Sequence, residues 1–171
     1  MFSIIGGSKV SSKLTVCKNL SKISDDVLTG GGITNTILKA QGHNIGLSLH
    51  EDSMLNDAKE LLDTGKILLP DEVVVSKDIE SNNTRVTKVN SVQHDEIILD
   101  QILSPAIIKK IIQAKKIIWN GPVGVFERQP FSLGTKALAE AIASSQAFSL
   151  AGGGETLLAI KMIIEKNNIS Y

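Results

Sequence analysis

A chain of 171 residues, 42% apolar but only 4% aromatic, is long enough for one well-buried core and leaves little for a second domain. Its apolar content is therefore Ile, Leu, Val and Ala, the mixture of buried parallel strands covered by helices. Formal net charge is zero, the only arginines are Arg85 and Arg128, and no basic stripe interleaved with aromatics occurs, which argues against a nucleic-acid partner.

In chain order, residues 2–5 read as a strand that ends on Gly6-Gly7, followed by a helix over residues 9–20 with Val10, Leu14 and Leu20 on one face. Residues 27–29 form a short strand running into Gly30-Gly31-Gly32, and residues 33–40 continue as a helix. Residues 41–53 are polar, hold Gly42 and Gly46, and read as a loop. A third helix spans residues 54–62, with Leu55, Ala58, Leu61 and Leu62 inward and Gly65 as its stop.

The middle differs. Ile67-Leu68-Leu69 is a strand with a proline exit at Pro70, and residues 73–75 and 85–87 flank an exposed turn over residues 78–83. Ser104-Pro105 is a cap followed by proline in the first turn, and Ile107, Ile108, Ile111 and Ile112 give that helix an apolar stripe. Residues 117–119 form a strand entering Asn120-Gly121-Pro122-Val123-Gly124, and a helix follows over residues 133–143. Residues 147–151 form the next strand, running into Gly152-Gly153-Gly154 and a helix over residues 155–166. Residues 169–171 begin another strand. Strand, glycine loop and helix thus recur four times, the rhythm of βαβ units in a parallel sheet.

No apolar run approaches the ~20 residues of a membrane span. The early glycines do not fit a signal peptide, and the lone Cys17 excludes an internal disulfide and fits a reducing compartment. The expectation is a soluble, cytoplasmic protein. A buried strand with so little ahead of it predicts a piece cut at a domain boundary.

In an open parallel sheet, ligands bind outside the carboxyl ends of the strands, where all four glycine loops fall. Glycine lets the backbone come close to a ligand, and each following helix adds free N–H donors and the positive end of its dipole, so the edge is suited to phosphate. The P-loop pattern is absent, and no G-x-G-x-x-G follows a strand. Lys9 and Lys13 stand one helical turn apart just after Gly6-Gly7, near the ligand edge. Glu155, at a helix start after Gly154, is a candidate magnesium partner, and Glu127 can accept from ribose hydroxyls. Trp119 reads as core, Cys17 as structural, and His43, His50 and His94 as surface residues.

Four segments then carry a resemblance: Gly6-Gly7-Ser8-Lys9-Val10-Ser11-Ser12-Lys13, Gly30-Gly31-Gly32-Ile33-Thr34-Asn35-Thr36, Trp119-Asn120-Gly121-Pro122-Val123-Gly124-Val125-Phe126-Glu127 and Ala151-Gly152-Gly153-Gly154-Glu155-Thr156. In order and spacing they resemble phosphoglycerate kinase, over essentially the whole chain but only over the carboxyl-terminal, nucleotide-binding half of that enzyme. The resemblance implies an α/β fold with a Rossmann-like doubly wound parallel sheet in three α/β/α layers, binding Mg-ADP or Mg-ATP. The family reaction is reversible phosphoryl transfer between 1,3-bisphosphoglycerate and ADP in glycolysis.

By position, the resemblance places Lys13 on the nucleotide phosphates and Lys9 on the transferring group, with Gly153 and Gly154 as further catalytic positions. Gly31, Gly32, Gly121, Val123 and Gly124 line the adenine and ribose cleft, with Glu127 on the ribose. Gly153, Gly154 and Thr156 hold phosphates, and Glu155 the magnesium. Three departures stand out. The phosphoglycerate-binding half, with its catalytic arginine, is missing; a glycine-rich segment expected after Tyr171 is missing; and Glu155 stands where the family usually has aspartate. The expectation is weak Mg-nucleotide binding without turnover by this piece, the complete enzyme being a monomer. The alternative is a non-catalytic fragment that self-associates through the strand edge after Tyr171. A dinucleotide-dependent oxidoreductase lacks support, because Thr29-Gly30 stands where an acid should bind the ribose.

Overall fold

A computed structural model describes residues 1–163, so the expected strand over residues 169–171 and the last residues of the helix expected to reach Lys166 lie outside the described residues. In chain order the elements are β1 (Phe2–Ile5), α1 (Val10–Ser21), β2 (Asp26–Thr29), α2 (Gly32–Ala40), α3 (Leu55–Leu62), β3 (Ile67–Leu68), β4 (Glu72–Ser76), β5 (Arg85–Lys88), β6 (Ile97–Ile102), α4 (Pro105–Gln113), β7 (Lys116–Asn120), α5 (Leu133–Ala143), β8 (Phe148–Gly152) and α6 (Gly154–Ile163).

Five strands form one parallel sheet in the order β3-β2-β1-β7-β8. Helices cover both faces, which gives the three-layer α/β/α arrangement. Side-chain alternation along β1 sets this up: Phe2 and Ile4 pack into a core with Leu103, Ile107, Ile111, Leu138 and Ile142, from α4, α5 and the segment before α4. Ile5 faces the other way, toward Val10, Leu14, Cys17, Ile33, Ile37 and Leu61 of α1, α2 and α3. Trp119 of β7 is core, 1% exposed. Cys17 is fully buried, and burial pushes its thiol up to about 12, so it is inert.

The Ser104 cap on α4 forms as expected, its hydroxyl accepting from the Ile107 N–H at 3.4 Å with Pro105 behind it. The apolar stripe of α4 is narrower than expected: Ile107 and Ile111 are buried, while Ile112 is 42% exposed.

The middle departs from the parallel rhythm. β4, β5 and β6 form a separate antiparallel sheet in the order β5-β4-β6. β4 and β5, the two β-branched runs on either side of the exposed polar segment, pair as an antiparallel hairpin, Val73 opposite Thr87 and Val75 opposite Arg85. β6 is an element that sequence reading passed over. Asp100 and Gln101 interrupt its apolar run, yet both are 2% exposed and look inward.

The chain runs from β1 outward through β2 to β3, then returns to the far side of β1 as β7 and β8. The switch point of the parallel sheet therefore lies between β1 and β7, which pair in parallel with Ile5 opposite Asn120. Ligand sites of open α/β sheets form at such a point, outside the carboxyl ends of the strands.

Candidate functional site

The loops after β1 and β7 meet at the switch point. A Cβ on Gly6 would stand 1.8 Å from the Pro122 carbonyl oxygen, and one on Gly121, at φ +98°, would stand 2.1 Å from the Gly6 carbonyl oxygen. These glycines serve the contact between the two loops. Gly154 is different: nothing lies within 4 Å of its Cβ position. The glycine edge, expected from the sequence to favour a phosphate ligand over turn packing, is thus divided between internal packing and open space.

A polar net ties the edge together. The Lys13 ammonium donates to the Gly6 carbonyl at 2.8 Å and to Asn120 Oδ1 at 2.7 Å, and Asn120 Nδ2 donates to the Gly152 carbonyl at 3.0 Å. The Gly121 N–H donates to the buried Thr156 hydroxyl at 2.7 Å. Lys13 of α1 is thereby linked through Asn120 to the glycine loop after β8. Burial pulls the Lys13 ammonium below its ordinary range, and the Glu155 carboxylate works against that pull.

The helix amino ends are not all free, contrary to the reading of the glycine loops. Glu51, from the loop before α3, accepts from the Val10 and Ser11 N–H groups at 3.1 and 3.3 Å and so occupies the start of α1. Asp100 accepts from the Gly134 N–H at 2.9 Å and occupies the start of α5. A carboxylate satisfies the orphan donors and the dipole of a helix start, which removes that start as an anion site. Among the described residues no such carboxylate from another element sits on the start of α6.

The cleft itself has two connected parts. One, of about 230 Å³, is lined by Gly31, Gly32, Val123, Gly124 and Glu127, together with the apolar side chains of Leu49, Ile79, Ile98, Leu99 and Val125. The other, of about 390 Å³, is lined by Lys9, Lys13, Asn120, Gly121, Gly153, Gly154 and Thr156. Gly7, Ser8 and Glu155 line both. The residues that the resemblance places on nucleotide or magnesium therefore all line these two adjoining parts, one largely apolar and the other rich in amines and N–H groups.

Several wall residues lie outside the set expected from the sequence. Asn120 stands within one of the motifs without an expected role, although a polar residue at the carboxyl end of a strand is a usable signal. Ile98, Leu99, Asp100 and Gln101 escaped because β6 did. The antiparallel sheet roofs the apolar end, held down by Gln101 Nε2 donating to the Thr29 carbonyl at 3.0 Å and the Val125 N–H donating to the Leu99 carbonyl at 2.8 Å. Burial pushes the Asp100 carboxyl up to about 7, against the pull of its Gly134 and Gln101 N–H donors. His50, read as a surface residue, is half-buried: its ring bonds the Ser48 carbonyl and Lys39, both at 2.8 Å, beside the cleft residue Leu49.

The family profile for phosphoglycerate kinase matches residues 1–171. The chain belongs to the phosphoglycerate kinase family. It is 47% identical over 176 residues to the phosphoglycerate kinase of Vibrio campbellii (strain ATCC BAA-1116), a match that takes in 100% of this chain and 45% of that protein. The structure of phosphoglycerate kinase from Coxiella burnetii superposes with a TM-score of 0.92 at 39% identity, over 99% of this chain and 46% of that one. The phosphoglycerate kinase of Pyrococcus horikoshii OT3 gives 0.80 at 29% identity, over 99% and 45%. The chain thus spans somewhat under half the length of the phosphoglycerate kinases it matches. Among the described residues no helix is long and apolar enough to cross a membrane.

Proposed function

We propose that the chain is the nucleotide-binding half of a phosphoglycerate kinase, taking Mg-ADP or Mg-ATP in the switch-point cleft. The observation that carries this reading is the polarity of the cleft: one end fits an apolar base and the other a phosphate chain. Leu49, Ile98, Leu99 and Val123 would enclose the base beside Gly31, Gly32 and Gly124, with Glu127 accepting from the ribose, whereas Gly121, expected on the adenine and ribose cleft, lines the phosphate end. Lys13 and Lys9, the α6 amino end at Gly153 and Gly154, and the Thr156 hydroxyl would hold the phosphates. The open start of α6 supports this assignment.

The donor set fits magnesium bound chiefly through the nucleotide. Among the described residues no group of three metal-ligating side chains stands together, and Glu155 is the one carboxylate at the phosphate end. Magnesium in such sites takes one or two carboxylates plus phosphate oxygens and neutralises phosphate charge. Glu155 Oε2 lies 3.8 Å from the Cβ position of Gly7, so the longer side chain reaches toward the opposite lip.

The reaction of the complete enzyme would be reversible transfer of a phosphoryl group between 1,3-bisphosphoglycerate and ADP. Positioning and charge neutralisation do most of the work in such transfers. The partner is an amino-terminal phosphoglycerate-binding half, in line with the 45% coverage of the Vibrio relative, and the complete enzyme is a cytoplasmic monomer. The chain alone binds Mg-nucleotide weakly and does not turn over. Titration calorimetry with Mg-ADP tests this: heat of binding is expected, with chemical-shift changes at Lys13 and Glu127. Absence of both sinks the nucleotide reading, and measurable kinase activity from the chain alone sinks the claim of inactivity.

The exposed apolar residues Leu150, Leu157, Leu158 and Met162 of β8 and α6 favour a second reading, self-association of the chain. Light scattering over a hundredfold range of concentration would show a growing mass if it holds and a constant one if it does not.

A further inference from the structure

The loop of residues 77–84, between β4 and β5, leaves the small sheet and reaches the cleft. Its base is closed by the Ser76 hydroxyl, shared between the Asp78 and Asn83 carbonyls at 2.9 and 3.0 Å. Beyond that closure, Ile79 lines the apolar end of the cleft while remaining 40% exposed. An isoleucine half in water is not held there by its own burial.

What holds it is the next residue. Arg128 grips Glu80 twice, with Nη1 on the carboxylate and Nη2 on the main-chain carbonyl at 2.7 Å. The second bond fixes the backbone of the loop as well as a side chain. Arg128 is itself anchored on another stretch of the cleft wall: it follows the cleft residue Glu127, and its N–H donates to the Val125 carbonyl at 3.1 Å. Its Nε is buried without a partner among the described residues, so the guanidinium is held in place at some expense. Among the described residues no other side chain from outside the small sheet and its connections bonds to this loop. Glu80 is 75% exposed, so the ion pair is screened and adds little to overall stability. Its effect is on where the loop sits.

We propose that Arg128 is a positioning residue for the base end of the cleft, clasping Glu80 so that Ile79 stands as a wall against the nucleobase. This rests on the nucleotide reading above, and it concerns only the base end, where phosphate contacts play no part.

The test titrates the 171-residue chain and its Arg128→Ala, Ile79→Ala and doubly substituted forms with Mg-ADP and, separately, with magnesium tripolyphosphate, which has no base. Arg128→Ala is expected to weaken Mg-ADP about two- to fivefold, the range of a partly exposed ion pair, and to leave tripolyphosphate unchanged. In the Ile79→Ala background it should add no further loss, because Arg128 acts through Ile79. Unchanged Mg-ADP affinity, equal loss of tripolyphosphate, or full additivity with Ile79→Ala each overturns the clasp while leaving the nucleotide reading intact. No Mg-ADP binding by the unsubstituted chain overturns both. Should Arg128→Ala fail to fold, Glu80→Gln at its exposed position removes the charged half of the clasp and carries the same expectations at smaller size.

Discussion

Two glycines on the same edge answer different demands, and substitution separates them. Ala at position 6 would drive its methyl into the Pro122 carbonyl, so Gly6→Ala is expected to lose about 3 kcal/mol or more in urea denaturation. Ala at position 154 meets nothing, and in the first turn of α6 it should raise stability by about 0.5–1 kcal/mol. The same methyl would hold a phosphate off the helix start and weaken Mg-ADP by about tenfold, the loss of one charge-assisted hydrogen bond. A stabler protein with unchanged nucleotide affinity would remove Gly154 from the site. Asp100 makes a prediction about pH. Its folded pKa of about 7 lies above the ordinary 3.8, so the folded state prefers the protonated form. The stability tied to that preference is full below about pH 4 and is lost as pH rises to about 7, with a slope of at most about 1.4 kcal/mol per unit. Asp100→Asn should remove that slope from urea stabilities measured between pH 4 and pH 8. An unchanged slope would mean that the carboxyl titrates normally.

Among the elements, α1 illustrates how a helix start can be taken by its own protein. Glu51 caps it from 41 residues away in sequence, and Glu51→Ala is expected to cost about 1 kcal/mol of stability, read by thermal unfolding. The glycine loop and the lysine spacing of this helix were legible in the sequence, because a strand, two glycines and an amphipathic pattern are local signals. Glu51 was not legible, since nothing near Val10 announces a carboxylate from a distant loop. The same holds for β6. Asp100 and Gln101 interrupt its apolar run, but they are buried because each finds a backbone partner on another element. The two β-branched runs of β4 and β5 and the polar segment between them were legible, while their antiparallel pairing, the third strand and the sheet's place as a roof were not.

At the scale of the whole molecule, a ligand that binds only the folded state raises stability by mass action. Mg-ADP at a hundred times its dissociation constant should add about 2.7 kcal/mol to unfolding, visible as a higher melting temperature that depends on nucleotide concentration. Magnesium or ADP given singly should add less, because on the proposed reading charge neutralisation and base enclosure would fall at opposite ends of the cleft. A melting temperature indifferent to Mg-ADP would speak against the site as a whole. What the sequence determined by itself was the set of parts: four strand-glycine-helix units, an Ile-Leu-Val core, and the motifs of a family, all written in neighbouring residues. The tertiary structure alone decided which glycines face solvent and which face one another, that Lys13 is held by Asn120, that Glu51 and Asp100 occupy two helix starts, and that an antiparallel sheet closes the apolar end. Each of these depends on residues far apart in the chain, and their meeting is set by the switch of strand order between β1 and β7, which no local pattern encodes.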